Sequence, residues 1–335
     1  MEGLRLLASE SFEMSRPADF DENIHEFGLM RIRLENDTPI TTPMKKFTRP
    51  EFDLDLAAQL GVGRGGPSSP DLKLVQIGIT NPFPIGLEKQ LFSHIFKSFH
   101  LDPYILHLVM TNSYGFHQFP ALKDGGISCF FLSTIMYMLA WSFNSDTMES
   151  RAILMVRSSN GFMPTGDITA YFFNILTAFA SQIRSSKFLG FTALTQLVHY
   201  LDKYIYHCLG TIRSVEIATG HGNINPTMVV PGVDEITQHS RDTSRDLSVL
   251  ANIRRHLLFA KDVIAHVKLN SHQRATVSAG TSGTPDKLNE SMMDAALVLE
   301  TQVSSNEAYV NYLLERAKNQ IMVVRKTSNS MISLC

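Results

Sequence analysis

The chain has 335 residues, 44% of them hydrophobic and 19% charged, and its 30 Lys+Arg against 32 Asp+Glu give a formal net charge of −2. That length supports about two domains and a sizeable core. The apolar content excludes an intrinsically disordered chain, and the near-neutral balance excludes a strong field for nucleic acid or an anionic membrane.

The three cysteines, Cys129, Cys208 and Cys335, are widely spaced and odd in number, so no disulfide framework follows. The opening MEGLRLLASESFEM has neither a basic cluster nor a long apolar core, so it does not resemble a secretory signal. A reducing, cytoplasmic setting is expected. The averages hide an uneven distribution. Residues 1–60 carry a net −5, residues 125–233 hold only 11 charges, and residues 241–275 carry a net +4. An acidic entry, an apolar middle and a basic late segment suggest unlike parts.

In chain order, residues 1–70 read as an acidic segment closed by the Gly/Pro-rich GVGRGGPSSP. Leu87–Phe99 places Leu87, Leu91, Ile95 and Phe99 on one helical face. Asp102-Pro103 starts a further helix, with Asp102 as its cap.

Between Asp124 and Asp146 lie 21 uncharged residues, including ISCFFLSTIMYMLAWSF at 127–143. The length permits a membrane span, but Phe, Ile, Tyr and Trp diluted by Ser and Thr favour buried sheet. AILMV at 152–156, between Arg151 and Arg157, fits a strand buried on both faces. Residues 168–183 read as a core helix and 193–215 as a long one. Leu250, Ile253, Leu257, Ala260, Ile264 and Val267 then form a heptad seam. A final helix begins at Pro285, capped by Thr284, and its seam runs Met292, Ala296, Leu299, Val303, Asn306, Val310, Leu313 and Ala317. The preceding seam helix, antiparallel to it, is its expected partner, and Asn306 would fix the register.

Chemical motifs are sparse. Gly61, Gly63 and Gly66 satisfy G-x-G-x-x-G, but PSSP follows where a dinucleotide site needs a helix. No phosphate-binding loop, G-x-S-x-G, H-E-x-x-H or Cys-x-x-Cys occurs. The twelve histidines do not cluster at ligand spacing. His207 and Cys208 are adjacent, so they diverge on a helix. Asp53 and Asp55 alternate as two carboxylates on one side of a strand would, without an evident pocket. Thr219, Gly220, His221 and Gly222 form a small loop that reads as a helix C-cap or a binding loop. No cofactor is predicted.

The ATGHG at 218–222, the helix LSVLANIRRHLLFAKDVIAHV at 247–267 and YLLERAKNQIMVV at 312–324 give an order of parts that resembles the cytosolic portion of the CorA-type magnesium transporter superfamily, in its divergent fungal branch. The resemblance spans about residues 80–326. It implies an α/β domain followed by a long stalk helix, a homo-oligomer or a full-length CorA-like relative as partner, and Mg2+ as an ion by association alone. The family's Gly-Met-Asn pore motif does not occur, and the chain gives RKTSNSMISLC after Val324, where that family enters the membrane. No pore or metal-ligand residues carry over.

The expected fold is therefore α+β: a small buried sheet covered by helices, followed by a long antiparallel helical pair. The expected parts are residues 1–70, an α/β core at 71–233 and a helical hairpin at 234–335. The expected function is non-enzymatic. It is association or regulation through the seam of Leu250, Ile253, Leu257, Ile264, Leu299, Val303, Asn306, Val310 and Leu313, in a cytoplasmic, possible membrane-peripheral protein. Two alternatives stand beside it: an enzyme or biosynthetic accessory protein with a pocket in 125–233, and an integral membrane protein through 127–143.

Overall fold

A computed structural model describes residues 1–61, 69–80, 84–120, 126–158, 165–219, 233–269 and 285–332. The fold is α+β with a helical C-terminal part. It divides into two compact units, Met1–Ala193 with Asn270–Met292, and Leu194–Leu269 with Met293–Cys335.

The first unit is built on a mixed sheet in the order β2-β1-β3-β8-β7-β6-β5. Its strands are β1 (Glu26–Glu35), β2 (Thr38–Thr48), β3 (Asp71–Ile79), β5 (Gly115–Phe119), β6 (Ile127–Ser133), β7 (Tyr137–Asn144) and β8 (Glu149–Arg157); a short β4 (Ile85–Gly86) pairs with β3. The hairpin β1–β2 turns on Asn36 and Asp37, both with φ near +50 to +65°, the backbone a two-residue primed turn requires. β3 and β8 run parallel; the other neighbours are antiparallel.

The apolar run 127–143 is the β6–β7 hairpin, with Ile127 paired to Asn144 and Ser133 to Met138. This overturns the membrane-helix alternative for 127–143: the uncharged stretch serves both faces of a covered sheet. AILMV is the middle of β8, buried throughout. Among the described residues no helix is long and apolar enough to cross a membrane.

On one face, Phe27, Leu29, Val75, Ile77, Phe131, Met138, Ile153 and Met155 pack with Phe12 of α1 (Glu2–Glu13), Phe52 of α2 (Arg49–Gly61), Phe92 and Ile95 of α3 (Lys89–Ser98) and Ile105 of α4 (Tyr104–Met110). All four residues of the predicted face Leu87, Leu91, Ile95 and Phe99 are buried. Asp102 precedes the cap position of α4, which Pro103 occupies; its carboxylate accepts the Tyr104 N–H at 2.9 Å and also holds Arg5 of α1. On the other face, Tyr137 meets Phe172 of α5 (Thr165–Ala178) edge-on. Its hydroxyl donates to Ala193 O, and Trp141 Nε1 donates to Ser186 O.

Two boundaries differ from expectation. Residues 26–48 are not a separate acidic segment, because β1 pairs with β3 and carries core residues Phe27, Leu29, Ile32 and Leu34 on an alternating strand. The second division falls at residues 193/194, within α6 (Phe188–Ala218), rather than near 233. The expected strand placement of Asp53 and Asp55 also fails. Both sit on α2, where Asp53 faces His94 at 2.6 Å and Asp55 meets the buried Lys73. Of the G-x-G-x-x-G, Gly61 ends that helix, and Gly63 and Gly66 lie outside the described residues.

Candidate functional site

The helical unit contains residues 194–218 of α6, α7 (Val233–Lys268) and residues from 293 onward of α8 (Pro285–Ile332). Side-chain bonds set their directions. Lys261 pairs with Glu307, and Lys268 with Glu300 at 2.8 Å, so α7 and α8 are antiparallel. Asp202 accepts from Asn306 Nδ2 at 2.6 Å and from Gln302, Glu216 holds Arg316, and Thr219 Oγ1 lies 3.3 Å from Gln320 Oε1. Partners that rise together along both helices make α6 and α8 parallel. The predicted α7–α8 pair is thus part of a three-helix unit, and Asn306 finds its register partner on α6.

The predicted seams lie inside the single chain. Leu250, Ile253, Leu257, Ile264, Val303, Val310 and Leu313 are buried, and Leu299 and Asn306 are half-buried. Apolar side chains already shielded from water have little left to offer a second chain. An association surface on α8 must therefore lie off the seam.

Such a surface is present. Val298, Ser305, Tyr309, Tyr312 and Arg316 are spaced 7-4-3-4 and share one face of α8. Val298 is 67% exposed and Tyr312 53%. The Tyr309 and Tyr312 rings stack at 6.0 Å, and the Arg316 guanidinium lies 5.3 Å from the Tyr312 ring centre. Glu216 fixes that guanidinium, with Nε 2.9 Å from Oε1, and its hydrogen bond raises the Arg316 pKa. Sequence reasoning missed this patch because it followed the apolar seam; two tyrosines three apart on the polar side were the available signal. Tyr and Arg are the residue types that dominate interface energetics.

Of the predicted loop, Thr219 closes α6, its hydroxyl donating to Val215 O at 2.9 Å. Gly220, His221 and Gly222 lie outside the described residues, as does the cap Thr284. His256, at the α7 core, has its Nδ1 2.7 Å from Asn252 O. Cys208 is buried, and burial pushes its thiol up to about 12, so no thiolate nucleophile forms beside His207. Buried Asp246 bonds the Thr211 side chain, its Oδ2 has no hydrogen-bond partner, and burial raises its pKa.

In the first unit, an open cleft of about 500 Å³ is lined by Glu13, Arg49, Lys89, His94 and Lys97 among others. Its cations are partly engaged: Lys89 donates to Glu13 O, and His94 faces Asp53. A cavity of about 70 Å³ within the 125–233 region is lined by Ser142, Asn144, Glu149 and Arg151, with His100 and Ile127. That is water-sized beside the roughly 300–1,000 Å³ of small-molecule sites. Among the described residues no group of three His, Cys, Asp or Glu could hold a metal ion.

No family model matches the chain, and no curated protein does. Among solved structures, that of the full-length CmaX protein matches with a TM-score of 0.52 at 10% identity, covering 91% of this chain and 79% of that one. At that identity the likeness concerns the fold alone.

Proposed function

We propose that this chain is a non-enzymatic protein of CorA-like build that acts by self-association through α8. The observation carrying this is the exposed, stacked Tyr309–Tyr312 pair, flanked by the half-buried Arg316, on a helix whose apolar seam is already covered. A second copy is the occupant favoured, since one surface serves both partners of a two-fold dimer. A longer CorA-like relative is the runner-up. The setting proposed is the cytoplasm or a membrane surface, with the scarce, widely spaced cysteines favouring the reducing side. Regulation by Mg2+ belongs to this proposal through the resemblance only.

The test is sedimentation of the full chain over a concentration series, beside Tyr309→Ser/Tyr312→Ser, which leaves the buried seam intact. Association of the parent chain that weakens by about tenfold or more in the variant supports the proposal. A parent chain that stays monomeric, or a variant that associates equally, refutes it.

A further inference from the structure

β3 and β8 are neighbours and parallel, so their carboxyl ends lie side by side, and Ser158 N–H donates to Ile79 O at 2.8 Å just past the last ladder pair, Ile79 and Arg157. From β3 the chain goes on to α3 and α4 on one face of the sheet; from β8 it goes to α5 on the other. Two adjacent parallel strands whose connections leave to opposite faces form a topological switch point, the place where open α/β sheets bind ligands.

Arg157 stands at that point. Strand alternation puts it on the same face as Ile153 and Met155, yet it is 2% exposed. Its partners are all neutral. Nε donates to Thr134 O at 3.0 Å, Nη2 to Ser133 Oγ at 3.0 Å and Nη1 to Asn112 Oδ1, while the Tyr114 ring lies 4.9 Å from Cζ. A guanidinium has five N–H groups, so two have no acceptor among the described residues. No ion pair among the described side chains includes Arg157 either, whereas Arg151 of the same strand has Glu149.

The contrast within the same unit is informative. Arg5 has Asp102, Arg31 has Asp71, and Lys73 has Asp55. Burying a charge without a counter-ion is costly, and such a group gains from any anion that reaches it. Burial also lowers the pKa of Arg157, and Tyr114 beside it opposes that shift only in part.

We propose that Arg157 binds a small oxyanion, a carboxylate or a phosphate group, at the carboxyl edge of β3 and β8. The planar fork matches two oxygens of either group. Asn112 Nδ2 and the Ser133 hydroxyl, whose oxygens accept from Arg157, keep N–H and O–H donors for the same ligand. One positive charge, with no ion pair among the described side chains, selects a singly charged group over a polyanion.

The test is thermal unfolding of the full chain in sodium phosphate, sodium acetate and sodium chloride at equal ionic strength, with calorimetric titration of the active anion. Phosphate or acetate should raise the midpoint saturably above chloride, by about 5–10 °C at a hundredfold excess over its dissociation constant. A rise with phosphate alone identifies a phosphate site, and one with acetate alone a carboxylate site. Arg157→Met should abolish the rise, and Arg157→Lys, which keeps the charge and loses the fork, should weaken binding by about tenfold. If Arg157→Met does not fold, the lysine variant and the Arg157 side-chain nitrogen resonances of the parent chain carry the test. Failure of both anions to exceed chloride overturns the proposal, as does a rise that survives removal of the guanidinium or resonances that ignore the anion.

Discussion

The two faces of α8 (Pro285–Ile332) make opposite predictions, and Leu313→Ala tests the inner one. Leu313 is fully buried in the helical unit. The substitution removes three carbons, worth about 2.4 kcal/mol at roughly 0.8 kcal/mol per buried group. The cavity left behind brings the expected loss to about 3–4 kcal/mol. Urea unfolding followed by far-ultraviolet circular dichroism measures it. Because the seam is closed within one chain, the loss should be the same across a wide range of protein concentrations. Tyr312→Ser, on the exposed face, should cost less than about 1 kcal/mol in dilute protein and should act on association instead. A Leu313→Ala loss below about 1 kcal/mol, or one that grows on dilution, would refute the claim that the seam is intrachain core.

Two further outcomes follow from buried titratable groups. Burial raises the Asp246 pKa, so its ionised form is disfavoured in the fold relative to the unfolded chain; the penalty is fully present above the folded-state pKa and is relieved as pH falls toward the ordinary carboxylate value. Asp246→Asn should therefore stabilise the protein at neutral pH by on the order of 1 kcal/mol, with the gain fading in acid, and equal stability of variant and parent at neutral pH would count against a strained carboxyl. Burial pushes the thiols of Cys129 and Cys208 up to about 12, so mass spectrometry after mild alkylation should find both unmodified in the native protein and modified after unfolding.

What the sequence disclosed was local. The 127–143 run announces a sheet because its Phe, Ile, Tyr and Trp are packed too densely to leave a polar helix face, and the two strands are joined by a short hairpin. The four-residue spacing of Leu87, Leu91, Ile95 and Phe99 likewise names its own buried face. Residues 26–35 were obscured by averaging. Arg31 and Arg33 alternate with Ile32 and Leu34 on a half-buried strand, a pattern that a net-charge sum over sixty residues erases. Asp53 and Asp55 alternate as strand residues would, but helical continuity through α2 (Arg49–Gly61) puts them against His94 and Lys73, partners tens of positions away. The heptads of α7 and α8 showed that stripes exist; nothing in either stripe said that α6 would run parallel to α8 and bond it through Asp202 and Glu216.

Arg157 shows why the remaining part was hidden. In sequence it is an ordinary charge at the end of AILMV, indistinguishable from Arg151 at the other end. Arg151 reaches Glu149 and Ser98 O at the strand's open amino end. Arg157 is carried to the carboxyl end beside β3, a neighbour some eighty residues earlier, and the turn of β6–β7 and the end of α4 close over it with neutral groups. The lack of a counter-ion among the described side chains is a property of three distant segments meeting. It becomes visible only once the β3–β8 parallel pairing is known, because that pairing decides which end of the strand is covered by helices leaving to both faces.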